Sequence, residues 1–216
     1  MTDRLAALLQ ESPAIERASK LAPPTLPVLQ AFTNLLPHDG LLPGSTTQIR
    51  GVASTSLALA LAAKASETSW TALVGLPHLG LRAASELGVD LEHVVVVPEA
   101  TVDVFAAVVD AFDVVLSCPP PQRKAPRIAA RVRERDAVLL VLGRHTYSWP
   151  DADLTVLSSN PRWYGLGDGH GHLAARTIDV TVTGRRAAAR PRQTTLWLPD
   201  EEGEVREQRN VVRLHA

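Results

Sequence analysis

The chain has 216 residues, 45% of them hydrophobic and 21% charged, and its 22 basic and 23 acidic side chains leave a formal net charge of -1. A chain of this length buries roughly 70% of the surface its unfolded form exposes, so it needs no disulfide framework or structural metal, and the single Cys118 builds neither. Its longest apolar run, Leu57 to Ala63, is far short of the roughly 20 residues that span a bilayer, and MTDRLAALLQESP lacks a signal peptide's unbroken apolar stretch, so a cytoplasmic protein without membrane contact is expected.

Residues 3–20 predict one or two short helices, with Leu5, Leu8, Leu9, Ile15 and Ala18 on one stripe broken at Pro13. Pro23, Pro24 and Pro27 mark a boundary, residues 26–36 predict a further short helix, and HDGLLPGS is dense in turn residues. Residues 1–40 therefore read as a helical preface. From residue 46 strands alternate with helices: strands at 46–50, 70–75, 93–97, 113–118 and 136–142, helices at 54–66, 79–87, 101–111 and about 125–135. Ser54 or Thr55 is available to cap the first of these helices. Continuous runs such as VVVV and AVLLVL suit strands buried on both faces of a mostly parallel sheet flanked by helices. After residue 143 the helices stop. Residues 153–158 and 173–184 alternate as antiparallel strands, separated by the loop SSNPRWYGLGDGHG, and a last strand is expected from Thr194 to Leu198. The division is a preface at 1–40, an α/β core at 41–192 and a C-terminal segment at 193–216.

Charge follows a related division, since residues 1–122 sum to -6 and residues 123–216 to +5. RKAPRIAARVRER at 123–135 reaches +5 and RRAAARPR at 185–192 reaches +4, while DEEGEVRE at 200–207 falls to -4. Clusters of one sign raise local fields that the net charge conceals.

Leu42-Pro43-Gly44, Gln48-Ile49-Arg50-Gly51, Leu57-Ala58-Leu59 and Leu87-Gly88-Val89-Asp90 stand in an order and spacing that resembles the RecA-type recombinase core, over roughly residues 40–142. The resemblance implies a RecA-like fold, and the chain departs from it where that family does chemistry. A phosphate loop of the form G-x-x-x-x-G-K-[ST] cradles phosphates on backbone amides and reaches them with its lysine. Here only Gly51-Val52-Ala53-Ser54-Thr55-Ser56 joins strand to helix, and the next lysine is Lys64. Leu76-Pro77 falls where the family carries a catalytic acid, and Ser117-Cys118 where it carries a magnesium-binding aspartate, with Asp113 at the opposite end of that strand. The expectation is no enzyme, no catalytic or metal site and no cofactor. The amides of Ser54 to Ser56 could still attract an anion or be an ordinary helix start.

Trp149, Asp151 and Asp153, the run Asn160-Pro161-Arg162-Trp163-Tyr164-Gly165-Leu166-Gly167-Asp168, Gly184-Arg185-Arg186 and Leu196-Trp197-Leu198-Pro199-Asp200 resemble the ImuA family, and more closely its ImuA-prime branch. That resemblance implies a non-catalytic adaptor in damage-induced mutagenic translesion synthesis, nucleoid-associated on DNA damage. Its implied partners are ImuB, a Y-family polymerase homologue, and an error-prone C-family polymerase. Two alternatives stay open: an ATP-dependent RecA-like DNA-binding protein with an atypical phosphate site, and a SulA-like division inhibitor.

Candidate contacts with DNA or a partner are Arg123, Lys124, Arg127 and Arg131, the last two an i, i+4 pair on one helical face, and Arg185, Arg186, Arg190 and Arg192. Leu196, Trp197, Leu198, Val211, Val212 and Leu214 form a candidate partner-binding segment. Trp163 and Tyr164 could stack bases, but covering a sheet edge is the expectation. His170 and His172 lack a third ligand and read as a turn. Direct DNA contact and self-association stay open.

Overall fold

Runs of β-branched and aliphatic residues set the centre of the molecule. The computed structural model describes residues 24–143, 148–168, 170–185 and 188–208. The helices expected at 3–20, together with Arg186, Val211, Val212 and Leu214, lie outside the described residues.

Within that range the parallel strands are β1 (Thr46–Gly51), β2 (Thr71–Val74), β3 (Val94–Val97), β4 (Val114–Ser117) and β5 (Val138–Gly143). Interleaved with them are α1 (Gln30–Thr33), α2 (Ser54–Ser66), α3 (Leu81–Glu86), α4 (Val102–Ala111) and α5 (Ala125–Glu134). Four further strands follow: β6 (Leu154–Gly167), β7 (His170–Gly184), β8 (Arg192–Trp197) and β9 (Arg206–Glu207). All nine join one sheet in the order β3-β2-β4-β5-β1-β6-β7-β8-β9. Pairing is parallel from β3 to β6 and antiparallel from β6 to β9. The expected α/β architecture with antiparallel C-terminal strands is the one found.

Alternation along each strand sends side chains to two apolar layers. Leu140 and Leu142 of β5 join Ile49, Leu73, Leu116, Ile178 and Leu196 against α1 to α3, while Leu139 and Val141 join Val115, Phe105, Ile128 and Trp149 against α4 and α5. Fully burying one such Leu or Ile contributes about 1.5–3 kcal/mol. Nine of the 13 residues of α2 are buried, five of them alanines. Alanine is the strongest helix former and lets neighbours approach closely, so α2 fits between the sheet, α3 and the residues before β1.

Sequence and structure differ in five places. The VVVV run, expected to be buried on both faces, is the edge strand β3, with Val96 44% exposed. The helix expected at 26–36 is only the one-turn α1, and a 3-10 turn follows at Pro37–Asp39. Val28, Phe32, Leu35 and Leu36 are nonetheless buried in the main core, so residues 24–40 are part of the core layer. The first residue of α2 is Ser54; its cap is Ala53, in the left-handed region with no side-chain hydrogen bond. The expected loop SSNPRWYGLGDGHG is instead the far part of a long hairpin. Its register shifts between Ser159 and Arg162 and again between Tyr164 and Leu166, bulges that absorb Pro161 and the glycines inside paired strands.

Candidate functional site

The first strand-to-helix junction is where the resemblance placed a phosphate loop. Only Val52 and Ala53 separate β1 from α2. Gly51 has φ 102°, and a Cβ on it would stand 2.0 Å from the Ser158 carbonyl oxygen of β6. The Val52 amide donates to that same carbonyl at 3.2 Å. The Ser158 hydroxyl donates to the Arg50 carbonyl at 3.3 Å and, more closely, to the Val52 carbonyl. The junction is thus stitched down onto β6 through the Val52 amide and the Ser158 hydroxyl. Lys64 stands in the last turn of α2, roughly 15 Å along the helix axis, where it pairs with Glu67 at 2.6 Å.

The neighbouring strand ends agree with that picture. After β2 comes Gly75, whose Cβ would meet the Cys118 sulfur at 2.6 Å, and burial pushes the Cys118 thiol pKa up, disfavouring thiolate. Asp113 sits at the start of β4, where its carboxylate accepts the Trp70 amide at 2.9 Å. It holds the N-terminal edge of the sheet. Among the described residues no group of three or more His, Cys, Asp or Glu is arranged to hold a metal, and the His170 ring lies 3.1 Å from the Asp168 carbonyl in the hairpin turn.

The candidate cations fall in separate groups, with Lys124, Arg127 and Arg131 along one small cleft of about 50 Å³ between α4 and α5. Because α5 runs back from the end of β4 to the start of β5, Arg123 and Lys124 lie at the C-terminal edge of the parallel strands. Arg131, expected to be a free contact with Arg127, is fastened to Asp110 of α4, which Arg135 also approaches at 3.2 Å. The Arg131 hydrogen bond holds the Asp110 carboxyl below the usual range. At the N-terminal edge Arg185 faces Asp151 at 3.7 Å. Arg192 is a structural tie, donating to the Asn34 and Leu36 carbonyls at 3.2 and 2.7 Å, and Arg190 is exposed.

Two further cavities among the described residues also lie away from the junction. One, of about 410 Å³ at the N-terminal edge, brings Arg133 of the first basic run and Arg185 of the second together with His38 and Asp153 over an apolar floor that includes Leu42 and Leu154. The Asp153 carboxylate accepts the Thr46 amide at 2.9 Å. The other, an open groove of about 850 Å³ between α1 and β9, is lined by Asp200, Glu201, Glu202, Glu204 and Glu207.

The C-terminal segment is split by alternation. Leu196 and Leu198, expected to meet a partner, are fully buried in the core of the same sheet, and only Trp197 between them is partly exposed. Its ring lies 5.0 Å from that of Tyr164. Trp163 and Tyr164 do not cover a sheet edge; they stand out on the β6–β7 hairpin, 48% and 38% exposed. Residue-type counting missed Ser158, whose role depends on its place opposite Gly51, and Leu166 and Leu173, which the glycines around them mark as loop.

This fold, with a sealed first junction and a long C-terminal hairpin, is RecA-like. Its chain path is similar to that of the RadB recombinase crystal structure, with a TM-score of 0.60, 12% identity and coverage of 83% of this chain and 97% of that one. The MT3502 N-terminal domain family matches residues 34–151, and the chain belongs to that family. The chain is also 32% identical over 108 residues to the uncharacterised protein Rv3395c of Mycobacterium tuberculosis, covering 47% of this chain and 52% of that protein. The chain thus matches about half the length of this curated relative.

Proposed function

We propose that this protein is a non-catalytic RecA-like adaptor of damage-induced translesion synthesis, of the ImuA-prime kind, holding an ImuB-type polymerase homologue within an error-prone polymerase complex. The observation that carries this reading is the Gly51–Ala53 junction folded onto Ser158. ATP hydrolysis on this fold needs backbone amides and a lysine around the phosphates, and here the turn is two residues long, its Val52 amide is bonded to Ser158 of β6, and Lys64 is paired with Glu67. An adaptor needs a rigid sheet and exposed surfaces, both of which the fold supplies.

Two measurements test the reading. Labelled ATP with magnesium is expected to show neither submillimolar binding nor turnover, and either one overturns the non-catalytic assignment. Co-expression with the ImuB-type protein and the C-family polymerase is expected to give a co-purifying complex; elution of the three as separate species overturns the adaptor role.

A further inference from the structure

Large apolar side chains exposed singly are ordinary, but several on one projecting segment mark a contact surface. On the β6–β7 arm Leu166 is 66% exposed, Leu173 49%, Trp163 48% and Tyr164 38%. The arm also projects from the sheet. β1 stops where Gly51 pairs Ser158, and the chain after β8 reaches back only as far as Arg176. Beyond those points the two arm strands pair only with each other among the described residues, leaving backbone edges open to a further strand.

Arg176 adds a specific chemical demand. Its guanidinium carbon lies 4.8 Å from the centroid of the Trp163 ring, and its Nε donates to the Leu198 carbonyl at 2.8 Å. It is half-buried, and desolvation lowers its pKa. No carboxylate of the described residues pairs with it. A partly desolvated guanidinium beside a tryptophan, with donors left over, is shaped to receive a carboxylate. Single-stranded nucleic acid fits less well, because Arg176 already covers the Trp163 ring and Trp197 packs on Tyr164. The most exposed surface is aliphatic, and leucines stack no bases.

We propose that the β6–β7 arm is a protein-docking element that takes a partner segment combining an apolar side chain, met by Leu166 and Leu173, with a carboxylate met by Arg176. It rests on the adaptor reading only in assigning that segment to a protein of the polymerase assembly. A phage-displayed random peptide library selected on the immobilised full chain tests it, with Leu166→Asp, Leu173→Asp and Arg176→Ala as comparisons and thermal melting as the check on folding. Recovered peptides are expected to place Leu or Phe near Asp or Glu and to weaken by about tenfold or more on the variants. Peptides that bind wild type and all three variants alike overturn the proposal. So does a labelled single-stranded oligonucleotide whose binding falls on the variants while peptide binding holds, or a dimer that they convert to monomer. If arm-dependent peptides are recovered but the ImuB-type protein fails to bind wild type, the adaptor reading alone falls. If that protein binds wild type and variants equally, the arm assignment alone falls.

Discussion

The two ends of the sheet are built differently. The central strands β2, β4 and β5 are buried on both faces, by α1 to α3 on one side and by α4 and α5 on the other, while the edge strand β3 leaves Val96 44% exposed. From β6 to β8 only one face is covered. Val156, Ile178, Val180, Val182 and Leu196 join the first apolar layer, while Thr155, Leu157, Thr181, Thr183 and Thr195 on the other face stay partly exposed. Parallel strands need crossover helices, which bring covering with them; antiparallel strands joined by hairpins carry none. The parallel half therefore supplies rigidity, and the accessible surface that can specify a partner is concentrated in the antiparallel half.

The sharpest way to break that contrast is to remove its shared part. Truncation before Arg192 deletes β8, and with Leu196 and Leu198 gone from the core the remainder is expected to lose its cooperative thermal transition; a sharp transition would show that residues 192–216 are a detachable appendage. Leu140→Ala, in the doubly covered half, is expected to cost about 2–5 kcal/mol, read from the denaturant midpoint. Gly51→Ala forces a Cβ against the Ser158 carbonyl and is expected to cost roughly 1–3 kcal/mol by the same measurement. Asp110→Asn should have a smaller effect, confined to one pH range. Because the folded carboxyl pKa is lowered, its contribution is present above the unfolded pKa and lost as pH falls through the folded one, so wild type and variant should converge in acid. Leu166→Asp on the open arm should leave stability within about 0.5 kcal/mol of wild type, a null result that would separate surface from scaffold.

The doubly covered half was legible from residue order because a strand such as VLLVLG carries its environment in its composition. The arm was not. Asn160-Pro161 and the glycines around Leu166 are turn chemistry, and only pairing across the hairpin reveals bulges where local preference indicates a loop. Gly171 shows why: it has φ 97°, and a Cβ there would stand 2.3 Å from the Gly165 carbonyl, so the glycines permit strand contact. Basic runs were equally legible as composition and illegible as surface, because the direction of α5 sends Lys124 and Arg133 to opposite edges. The fate of Arg131 depended on Asp110, 21 residues away. Leu196 and Leu198 look like a partner motif in isolation and become core only once β8 pairs with β7.

The Ser158 contact also limits what engineering can restore. Substituting a lysine into Val52 or Ala53 would put the charge on a turn whose backbone already faces another strand, so no single substitution yields a phosphate site. Residues would have to be inserted after Gly51, and the turn would then have to detach from β6, loosening the root of the arm. Nucleotide binding and arm geometry therefore compete for one short stretch of backbone, and a variant selected for the first is expected to lose the second.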